Sequence, residues 1–185
     1  MRRLPHLVAI LAAAVLTPEA PLRAQSKAAG EYDIKAAFLY NFARYVEWPA
    51  GRLPPAGEAF VFTVLGEDPF GEALDAMIRG RTIHDRPLSV RRVARIEDVG
   101  DSQILFISRS EVEDLPRILQ RLEAAPILTV GETPQFAERG GMIRFRRDGE
   151  RIAFDINVAS AERAGLRVSS QLLKLARIVG AGGRS

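Results

Sequence analysis

The chain has 185 residues, of which 47% are hydrophobic and 26% are charged, with a formal net charge of +3 at pH 7. This is ordinary globular composition, and it excludes disordered, collagen-like and coiled-coil chains. Cysteine is absent, so disulfides, cysteine nucleophiles, thiolate metal sites and iron–sulfur clusters are excluded as well.

The first 24 residues have the pattern of a signal peptide. Two arginines at residues 2–3 precede an apolar run over residues 7–16, and this run is too short to span a bilayer. The predicted cleavage point follows Ala24, with Ala20 as a second candidate, and an uncleaved membrane anchor is the alternative. Removing 24 of the 185 residues leaves 161, the size of one domain, with a formal net charge of +1. We therefore expect an exported, soluble domain.

A first helix is predicted from Glu31 to near Glu47. Apolar and aromatic residues recur there every three to four positions, which gives the helix one broad apolar face. Pro18 and Pro21 are expected to break any helix that precedes it. Trp48 stands before a proline, whose ring disfavours helical geometry in the residue before it, so the helix should end at this point.

Strands and helices are predicted to alternate along the middle of the chain. Residues 59–65 form an apolar, β-branched and aromatic run between glycines, which is typical of a buried strand. Ser110 and Glu113 have the spacing of a capping box for a helix over residues 111–124. The other predicted elements are strands over residues 88–94, 103–107 and 127–130, a short helix over residues 71–79 and a single helical turn over residues 133–138.

The last part of the chain is predicted to contain a β-hairpin and a terminal helix. Strands over residues 142–146 and 152–156 flank Asp148-Gly149, a dipeptide that readily adopts the positive φ of a tight turn. The elements predicted after the hairpin are a short helix over residues 159–164, an extended segment over residues 166–168 and a final helix that Ser169 or Ser170 caps and that continues to Val179.

The order of these elements predicts an α/β fold. Strands that alternate with helices, followed by a hairpin, favour a mixed β-sheet flanked by helices on both faces. We therefore expect residues 25–185 to form a single domain, a three-layer sandwich with a C-terminal β-hairpin and a terminal helix.

The residue chemistry argues against an enzyme. His84 is the only histidine after the leader, and no Gly-x-Ser-x-Gly pattern surrounds any serine, so a Ser–His–Asp triad is not expected. One histidine without cysteines cannot supply the usual zinc ligands. Gly131-Glu132 follows a strand but lacks the dinucleotide fingerprint and the phosphate-loop lysine, and we interpret Gly140-Gly141 as a structural pair that permits positive φ or close backbone approach. Neither a metal nor a cofactor is predicted.

Two groups of residues suit contact with a ligand or a partner. Asp155 and Asn157 share one face of a strand, where they could form a binding site; a solvated strand face and a cap for the following helix are the alternatives. The second group lies at the end of an aromatic-rich helix and consists of Tyr45, Glu47 and Trp48. Helices of this type most often pack in the core. The corner at Trp48 is nevertheless expected to be partly exposed, and tryptophan and tyrosine are favoured anchors of protein interfaces.

Arginine clusters are the remaining charged feature. Arg91-Arg92 and the group Arg144, Arg146 and Arg147 are expected to form solvated, salt-bridged strand edges, because the net charge after the leader is close to zero. Nucleic-acid binding is therefore not expected.

Residues 32–49 (YDIKAAFLYNFARYVEWP) closely resemble the opening signature of the YfiR/HmsC-like family of periplasmic regulatory proteins. Further blocks match the family in the same order and span nearly the whole chain after the leader. These blocks are residues 86–92 (RPLSVRR), 104–108 (ILFIS), 128–132 (LTVGE) with 140–145 (GGMIRF), and 152–157 (IAFDIN) through 164–176 (AGLRVSSQLLKLA).

The resemblance implies a periplasmic, non-catalytic repressor. Such a protein binds the periplasmic sensor part of an inner-membrane diguanylate cyclase and thereby limits cyclic diguanylate signalling, exopolysaccharide and biofilm. An OmpA-like outer-membrane lipoprotein that sequesters the repressor is an implied second partner. Family members often carry paired cysteines, one of them just before the block at residues 104–108, where this chain has Ser102 and Gln103. Redox control through such disulfides is therefore not expected here.

The resemblance also places partner contact around Asp155, Asn157 and the final helix. Together with the end of the first helix, the predicted partner-binding residues are Tyr45, Glu47, Trp48, Asp155, Asn157 and Lys174. Under this hypothesis Trp48→Ala and Asp155→Arg should weaken repression without unfolding the protein.

Two functions of different classes remain open from the sequence. One is a repressor that acts by stoichiometric binding, and an exposed apolar face on its first or last helix would also fit a homodimer. The other is a periplasmic module that binds or senses a small ligand, because the strand ends of α/β sheets commonly form pockets.

Overall fold

The computed structural model describes residues 20–180, and the side chains of residues 30–180. Its helices are α1 (Ala20–Tyr45), α2 (Glu72–Ile78), α3 (Leu115–Leu122), α4 (Val158–Arg163) and α5 (Ser170–Leu173). Its strands are β1 (Val46–Glu47), β2 (Phe60–Leu65), β3 (Thr82–Ile83), β4 (Arg86–Val93), β5 (Ile104–Ile107), β6 (Leu128–Gly131), β7 (Ile143–Asp148), β8 (Arg151–Asn157), β9 (Arg167–Val168) and β10 (Arg177–Val179).

Eight of these strands form a central mixed sheet in the order β10-β8-β7-β6-β5-β2-β4-β3. Strands β4, β2, β5, β6 and β7 run parallel to one another. At the two sides, β8 is antiparallel to β7, β10 is parallel to β8, and β3 is antiparallel to β4. The short strands β1 and β9 form a separate antiparallel pair. The parallel strands require crossover connections, and these place helices against the sheet.

The hydrophobic core has one part on each face of the sheet. On the first face, α1 buries Leu39 and Phe42, and the Phe42 ring stacks on Phe145 of β7 with centroids 5.6 Å apart. On the second face, α3 buries Leu115 in the cluster that contains Leu105 of β5. The predicted α/β class, with helices on both faces of one mixed sheet, is confirmed.

Helix α1 is longer than predicted. It begins at Ala20 rather than Glu31, and Pro21 lies in its first turn, where a missing N–H costs no intrahelical hydrogen bond. A proline at this position is compatible with the start of a helix, and any preceding helix that Pro18 and Pro21 were predicted to break would lie outside the described residues; the predicted end near Glu47 agrees with the observed end at Tyr45. Residues 1–19, which include most of the predicted signal peptide, lie outside the described residues.

Most of the strands between residues 59 and 157 were predicted correctly. Strands β2, β4, β5 and β6 coincide with predicted strands to within two residues at each end, and α2 coincides with the predicted short helix. The hairpin of β7 and β8 is also confirmed, with Asp148 opposite Arg151 and a turn in which Gly149 has φ 60°. Glycine adopts a positive φ readily, which is why an Asp-Gly pair in the sequence indicates a tight turn.

The helix predicted over residues 111–124 is shorter than expected. A 3₁₀ turn covers Arg109–Glu111, and α3 begins only at Leu115, with a proline in its first turn. Ser110 does not cap it, because the Ser110 hydroxyl accepts a hydrogen bond from the Glu67 amide at 3.0 Å and contacts Glu111 at 2.9 Å. Residues 133–138 form hydrogen-bonded turns rather than a regular helical turn.

The predicted terminal helix is only one turn long. Ser169 caps α5 by accepting a hydrogen bond from the Leu172 amide at 3.3 Å, as predicted, but the helix ends at Leu173. Residues 177–179, predicted as helix, form β10 along β8 instead. The tertiary pairing with β8 outweighs the helical spacing of the apolar residues. No helix among residues 20–180 has the length and apolar character needed to cross a membrane.

Candidate functional site

Residues 167–179, hereafter the C-terminal segment, connect the two regions that were predicted to contact a partner, the end of the first helix and the last strand of the hairpin. Its first residues form β9, which pairs with β1 so that Arg167 lies opposite Glu47, and the Ser169 amide donates to the Tyr45 carbonyl at 2.9 Å. Its last residues form β10, in which Arg177 lies opposite Asp155. The segment therefore joins the end of the first helix to the last strand of the hairpin.

This segment presents apolar side chains to solvent. Leu175 is 72% exposed and Ile178 is 45% exposed, although both are large and hydrophobic. Lys174 is exposed beside Leu175, and β10 is an edge strand of the main sheet. Of the residues predicted for partner binding on β1 and α1, Glu47 is exposed and Tyr45 is half-buried.

Trp48 is buried, contrary to the expectation of a partly exposed corner. Its ring meets the Phe60 ring edge-on, with centroids 5.2 Å apart and planes at 88°. Within residues 30–180 its indole Nε1 has no hydrogen-bond partner. The helix ends just before Trp48 as predicted, but the turn directs the side chain into the core, so Trp48→Ala should destabilise the fold rather than probe a surface.

Asp155 is fully buried and bound by three arginines. Arg177 forms a bidentate pair with it, Nε to Oδ1 at 2.9 Å and Nη2 to Oδ2 at 2.8 Å. Arg146 Nε donates to Oδ1 at 3.0 Å, and Arg144 Nε lies 3.3 Å from Oδ2. The hydrogen bond with Asp155 and the charge of its carboxylate raise the pKa of Arg177 above its usual range. The cluster ties β7, β8 and β10 together, and an arginine at position 155 could not be accommodated without disrupting it.

Asn157 acts as a helix cap, one of the alternatives left open by the sequence. Its Oδ1 accepts a hydrogen bond from the Ser160 amide at 3.0 Å at the start of α4, and its Nδ2 donates to the Ala137 carbonyl at 2.7 Å. The side chain is buried. Asp155 and Asn157 are therefore buried residues of β8 that lie next to the C-terminal segment, Asp155 bound to Arg177 and Asn157 opposite Val179.

A second feature is a charged cleft at the carboxyl ends of the parallel strands. Arg109 follows β5, Glu132 follows β6, and β7 contributes three arginines. The cavity measures about 240 Å³. Its lining, which we call the charged cleft, consists of Glu31, Lys35, Arg109, Glu132, Pro134, Arg144, Phe145, Arg146, Arg147 and Ile152.

Glu132 is the buried centre of the ion pairs on one side of the cleft. The Tyr32 hydroxyl donates to its Oε1 at 2.8 Å, Arg109 Nε lies 2.9 Å from the same oxygen, and Lys35 Nζ donates to its Oε2. Lys35 is also buried, and its ammonium group contacts Glu31 at 2.6 Å. Both buried charges are thus paired, which is the condition under which buried charges are tolerated.

The cleft alters the acidity of two of these groups. Burial raises the pKa of the Tyr32 phenol, and its hydrogen bond to the negatively charged Glu132 raises it further, so the phenol stays protonated and donates. Burial alone would raise the pKa of Glu31, but the hydrogen bond and charge of Lys35, with Arg147 and Arg109 nearby, lower it overall. The cleft therefore favours negative charge at its mouth.

The charged cleft was not predicted from the sequence. Glu31 and Lys35 have the i, i+4 spacing of a helical ion pair, and Glu132 directly follows a buried strand, so both signals were present. The packing of α1 over the carboxyl end of β6 brings these residues together. Tyr32 of α1 thereby reaches Glu132, which lies 100 positions later in the chain. The three arginines of β7, predicted as a solvated, salt-bridged strand edge, line the cleft. Arg144 and Arg146 bind the buried Asp155, whereas Arg147 is exposed and lies 3.7 Å from Glu31.

The glycine and histidine motifs have structural positions. A Cβ atom on Gly141 would lie 2.2 Å from the buried Phe136 ring, so the predicted close approach is real. His84 and Asp85, with φ of 49° and 60°, form the tight turn between β3 and β4. Within residues 20–180, no group of three or more His, Cys, Asp or Glu residues could hold a metal ion.

Comparisons with known proteins give a matching family model and solved structures that are similar to this chain. A family model described as YfiR/HmsC-like matches residues 32–177. A crystal structure of a conserved domain protein from Vibrio cholerae O1 biovar El Tor strain N16961 aligns with a TM-score of 0.55 and 11% identity, over 80% of this chain and 60% of that one. The ABC domain in complex with L-Trp from Streptococcus pneumoniae aligns with a TM-score of 0.49 and 9% identity, over 69% and 57%. The chain thus spans about 60% of the length of these proteins, and the first shows likeness of fold.

Proposed function

The chain belongs to the YfiR/HmsC-like family, which regulates diguanylate cyclase signalling from the periplasm, and on this premise we propose that it represses an inner-membrane diguanylate cyclase or a similar sensor. It does so by binding the periplasmic part of that protein. Repression lowers cyclic diguanylate and, with it, exopolysaccharide and biofilm. The mode of action is stoichiometric binding, without catalysis.

The exposed apolar pair Leu175 and Ile178 is the observation that carries this proposal. Two large apolar side chains exposed within four residues of one short segment are a feature of surfaces that bind another protein. Lys174 precedes Leu175 in the chain, and Glu47 lies opposite Arg167 of the same segment, so exposed charges of opposite sign accompany the apolar pair. The proposed contact residues are therefore Tyr45, Glu47 and Lys174 with Leu175 and Ile178.

Trp48, Asp155 and Asn157 contribute to this surface as positioning residues. Trp48 follows β1 and packs against Phe60, Asn157 caps α4, and Asp155 holds β10 through Arg177. Because they are buried, they set the course of the segment without touching a partner docked on it.

Repression requires that the protein bind the inactive state of the sensor more tightly than the active state. A difference in binding free energy of about 3 kcal/mol moves such an equilibrium by more than roughly a hundredfold. The apolar pair contributes through burial, at about 25 cal/mol for each Å² of apolar surface removed from water.

The test is the intracellular concentration of cyclic diguanylate in a strain that lacks the gene. We expect the concentration to rise on deletion and to fall on complementation with the full gene. Leu175→Asp should fail to restore repression, and Lys174→Glu should weaken it. Val112→Asp is the matched control, because Val112 is an exposed apolar residue, 42% exposed, outside the C-terminal segment. Equal repression by the Leu175→Asp and Val112→Asp variants would refute the proposed surface.

The predicted compartment is tested in the same strain. A version of the gene without residues 2–24 should produce the protein but leave cyclic diguanylate high, because the protein would remain on the wrong side of the membrane. Full repression by this version would contradict periplasmic action.

Two further partners stay predictions. An OmpA-like outer-membrane lipoprotein would release the cyclase by covering the same surface, and a homodimer would bury an apolar helix face. Cross-linking of the periplasmic protein in intact cells tests both, since the two partners give adducts of different mass.

The alternative function, a periplasmic module that binds or senses a small ligand, is favoured by one observation, the charged cleft at the strand ends. A thermal-shift screen of metabolites separates it from repression. A strong and specific shift, with no partner recovered by cross-linking, would favour the alternative.

A further inference from the structure

The lining of the charged cleft has an excess of positive charge. Five cationic side chains face it, whereas only two carboxylates, Glu31 and Glu132, belong to the lining. Asp155 does not belong to the lining, but it neutralises part of the charge of Arg144 and Arg146. This leaves the cleft electropositive on the side formed by β7.

The remaining partners of these arginines are weak. Glu138 approaches Arg144 only to 3.8 Å, and Asp148 approaches Arg146 only to 3.6 Å. The side chains of Glu138 and Asp148 are 40% and 69% exposed, and exposed ion pairs of this kind contribute little stability. A ligand anion can therefore replace them at small cost.

The exposed arginines of the cleft make few contacts for the number of N–H donors that they carry. A guanidinium group has five N–H donors in a fixed fork. Arg109 makes its ion pair with Glu132 through Nε, and Arg147 meets Glu31 at only 3.7 Å. Planar forks of this type bind carboxylate and phosphate groups bidentately.

We propose that the charged cleft binds a small anion that carries carboxylate or phosphate groups. Its position outside the carboxyl ends of parallel strands is the usual place for ligands in open α/β sheets. Phe145 and Ile152 supply a short apolar wall for the body of the ligand. The volume of about 240 Å³ lies below the roughly 300–1,000 Å³ of sites for drug-sized ligands, so the occupant is a small molecule rather than a peptide or nucleic acid.

Anion binding by the cleft does not depend on repression, because it is measured on the purified protein without a cyclase. Isothermal titration calorimetry of the purified protein with citrate, succinate and inorganic phosphate, each in a buffer of about 0.15 M ionic strength, measures it directly. We expect at least one of these probes to bind with a Kd below about 1 mM. Citrate or succinate as the tighter probe would assign the site to carboxylates, and inorganic phosphate would assign it to phosphoryl compounds.

Variants of the exposed cleft arginines locate the binding. Arg109→Gln and Arg147→Gln should each weaken the tightest probe by at least about tenfold. Arg117→Gln is the matched control, since the Arg117 side chain is 67% exposed, close to the 68% of Arg109, and it pairs with Asp114 at 3.6 Å outside the cleft lining. Circular dichroism of each variant establishes that the fold is retained.

Two results would overturn the proposal. One is the absence of binding by all three probes. The other is binding that all three arginine variants weaken equally, which would show attraction by net charge alone. Neither result bears on cyclic diguanylate in cells, so failure of this site and failure of the repressor function are distinguishable.

Discussion

The Asp155 cluster makes the strongest prediction about stability. Asp155→Asn keeps the size of the side chain but removes its charge, and three arginines then face a neutral amide. Removing one partner of a buried ion pair costs about 3–5 kcal/mol. The arginines are partly exposed, with Arg144 the least and Arg177 the most accessible, so water can solvate them in the variant. We therefore expect the lower end of this range, about 3 kcal/mol.

This magnitude converts to a measurable change in melting temperature. For a chain of this length, 1 kcal/mol corresponds to about 2–4 °C, so the Asp155→Asn variant should melt about 6–12 °C lower. The control is Asp148→Asn, the same chemical change at an exposed carboxylate that meets Arg146 at 3.6 Å. An exposed pair contributes at most about 1 kcal/mol, so this variant should melt within about 4 °C of the parent protein.

Thermal melts followed by circular dichroism measure both variants, and urea titrations add the free energy of unfolding. Amide hydrogen exchange locates the effect, because β10 is held at the sheet edge by β8 and by the Arg177–Asp155 pair. Its amides should lose protection in Asp155→Asn but not in Asp148→Asn. Equal melting temperatures for the two variants would refute the argument that burial makes Asp155 important.

The remaining predictions concern packing and acidity. Gly141→Ala should lower the free energy of unfolding by about 1–3 kcal/mol, because the new Cβ would overlap the Phe136 ring. Gly30→Ala is the control: Gly30 lies in open space on α1, so alanine there should raise the free energy of unfolding by up to about 1 kcal/mol. Urea titration measures both variants. Trp48→Ala should cost about 3–5 kcal/mol in the same assay, and a loss below 1 kcal/mol would contradict its place in the core. Because the Tyr32 pKa is raised in the folded state, stability should fall as the pH rises above about 10, by up to about 1.4 kcal/mol per pH unit, and Tyr32→Phe should remove this part of the slope.

The sequence predicted the class of the fold because its signals were local and strong. The run that became β2 and the Asp148-Gly149 turn owe their structures to residue types within a few positions. Capping was less predictable, because a serine hydroxyl has several competing partners. Ser169 caps α5 as expected, whereas the Ser110 hydroxyl is used by the Glu67 amide.

The candidate sites were predicted only in part. The sequence selected the end of α1 and the last strand of the hairpin, and the C-terminal segment does join them. It could not tell that Trp48 and Asp155 are buried, because an aromatic residue at a helix end and a carboxylate on a strand each occur both inside proteins and at their surfaces. Nor could it find the charged cleft, whose ion pairs link α1 to the end of β6.

By itself, the sequence determined the alternation of strands and helices, the hairpin and the residue types available for chemistry, since hydrophobic periodicity and turn residues act over short distances. The tertiary structure decided whether residues 177–179 are helix or strand, which carboxylates are buried and which arginines face a cleft. Those outcomes depend on contacts between residues far apart in the chain, such as Lys35 with Glu132 and Arg177 with Asp155. Such contacts form only when the sheet brings their strands and helices together, and no short window of sequence contains both partners.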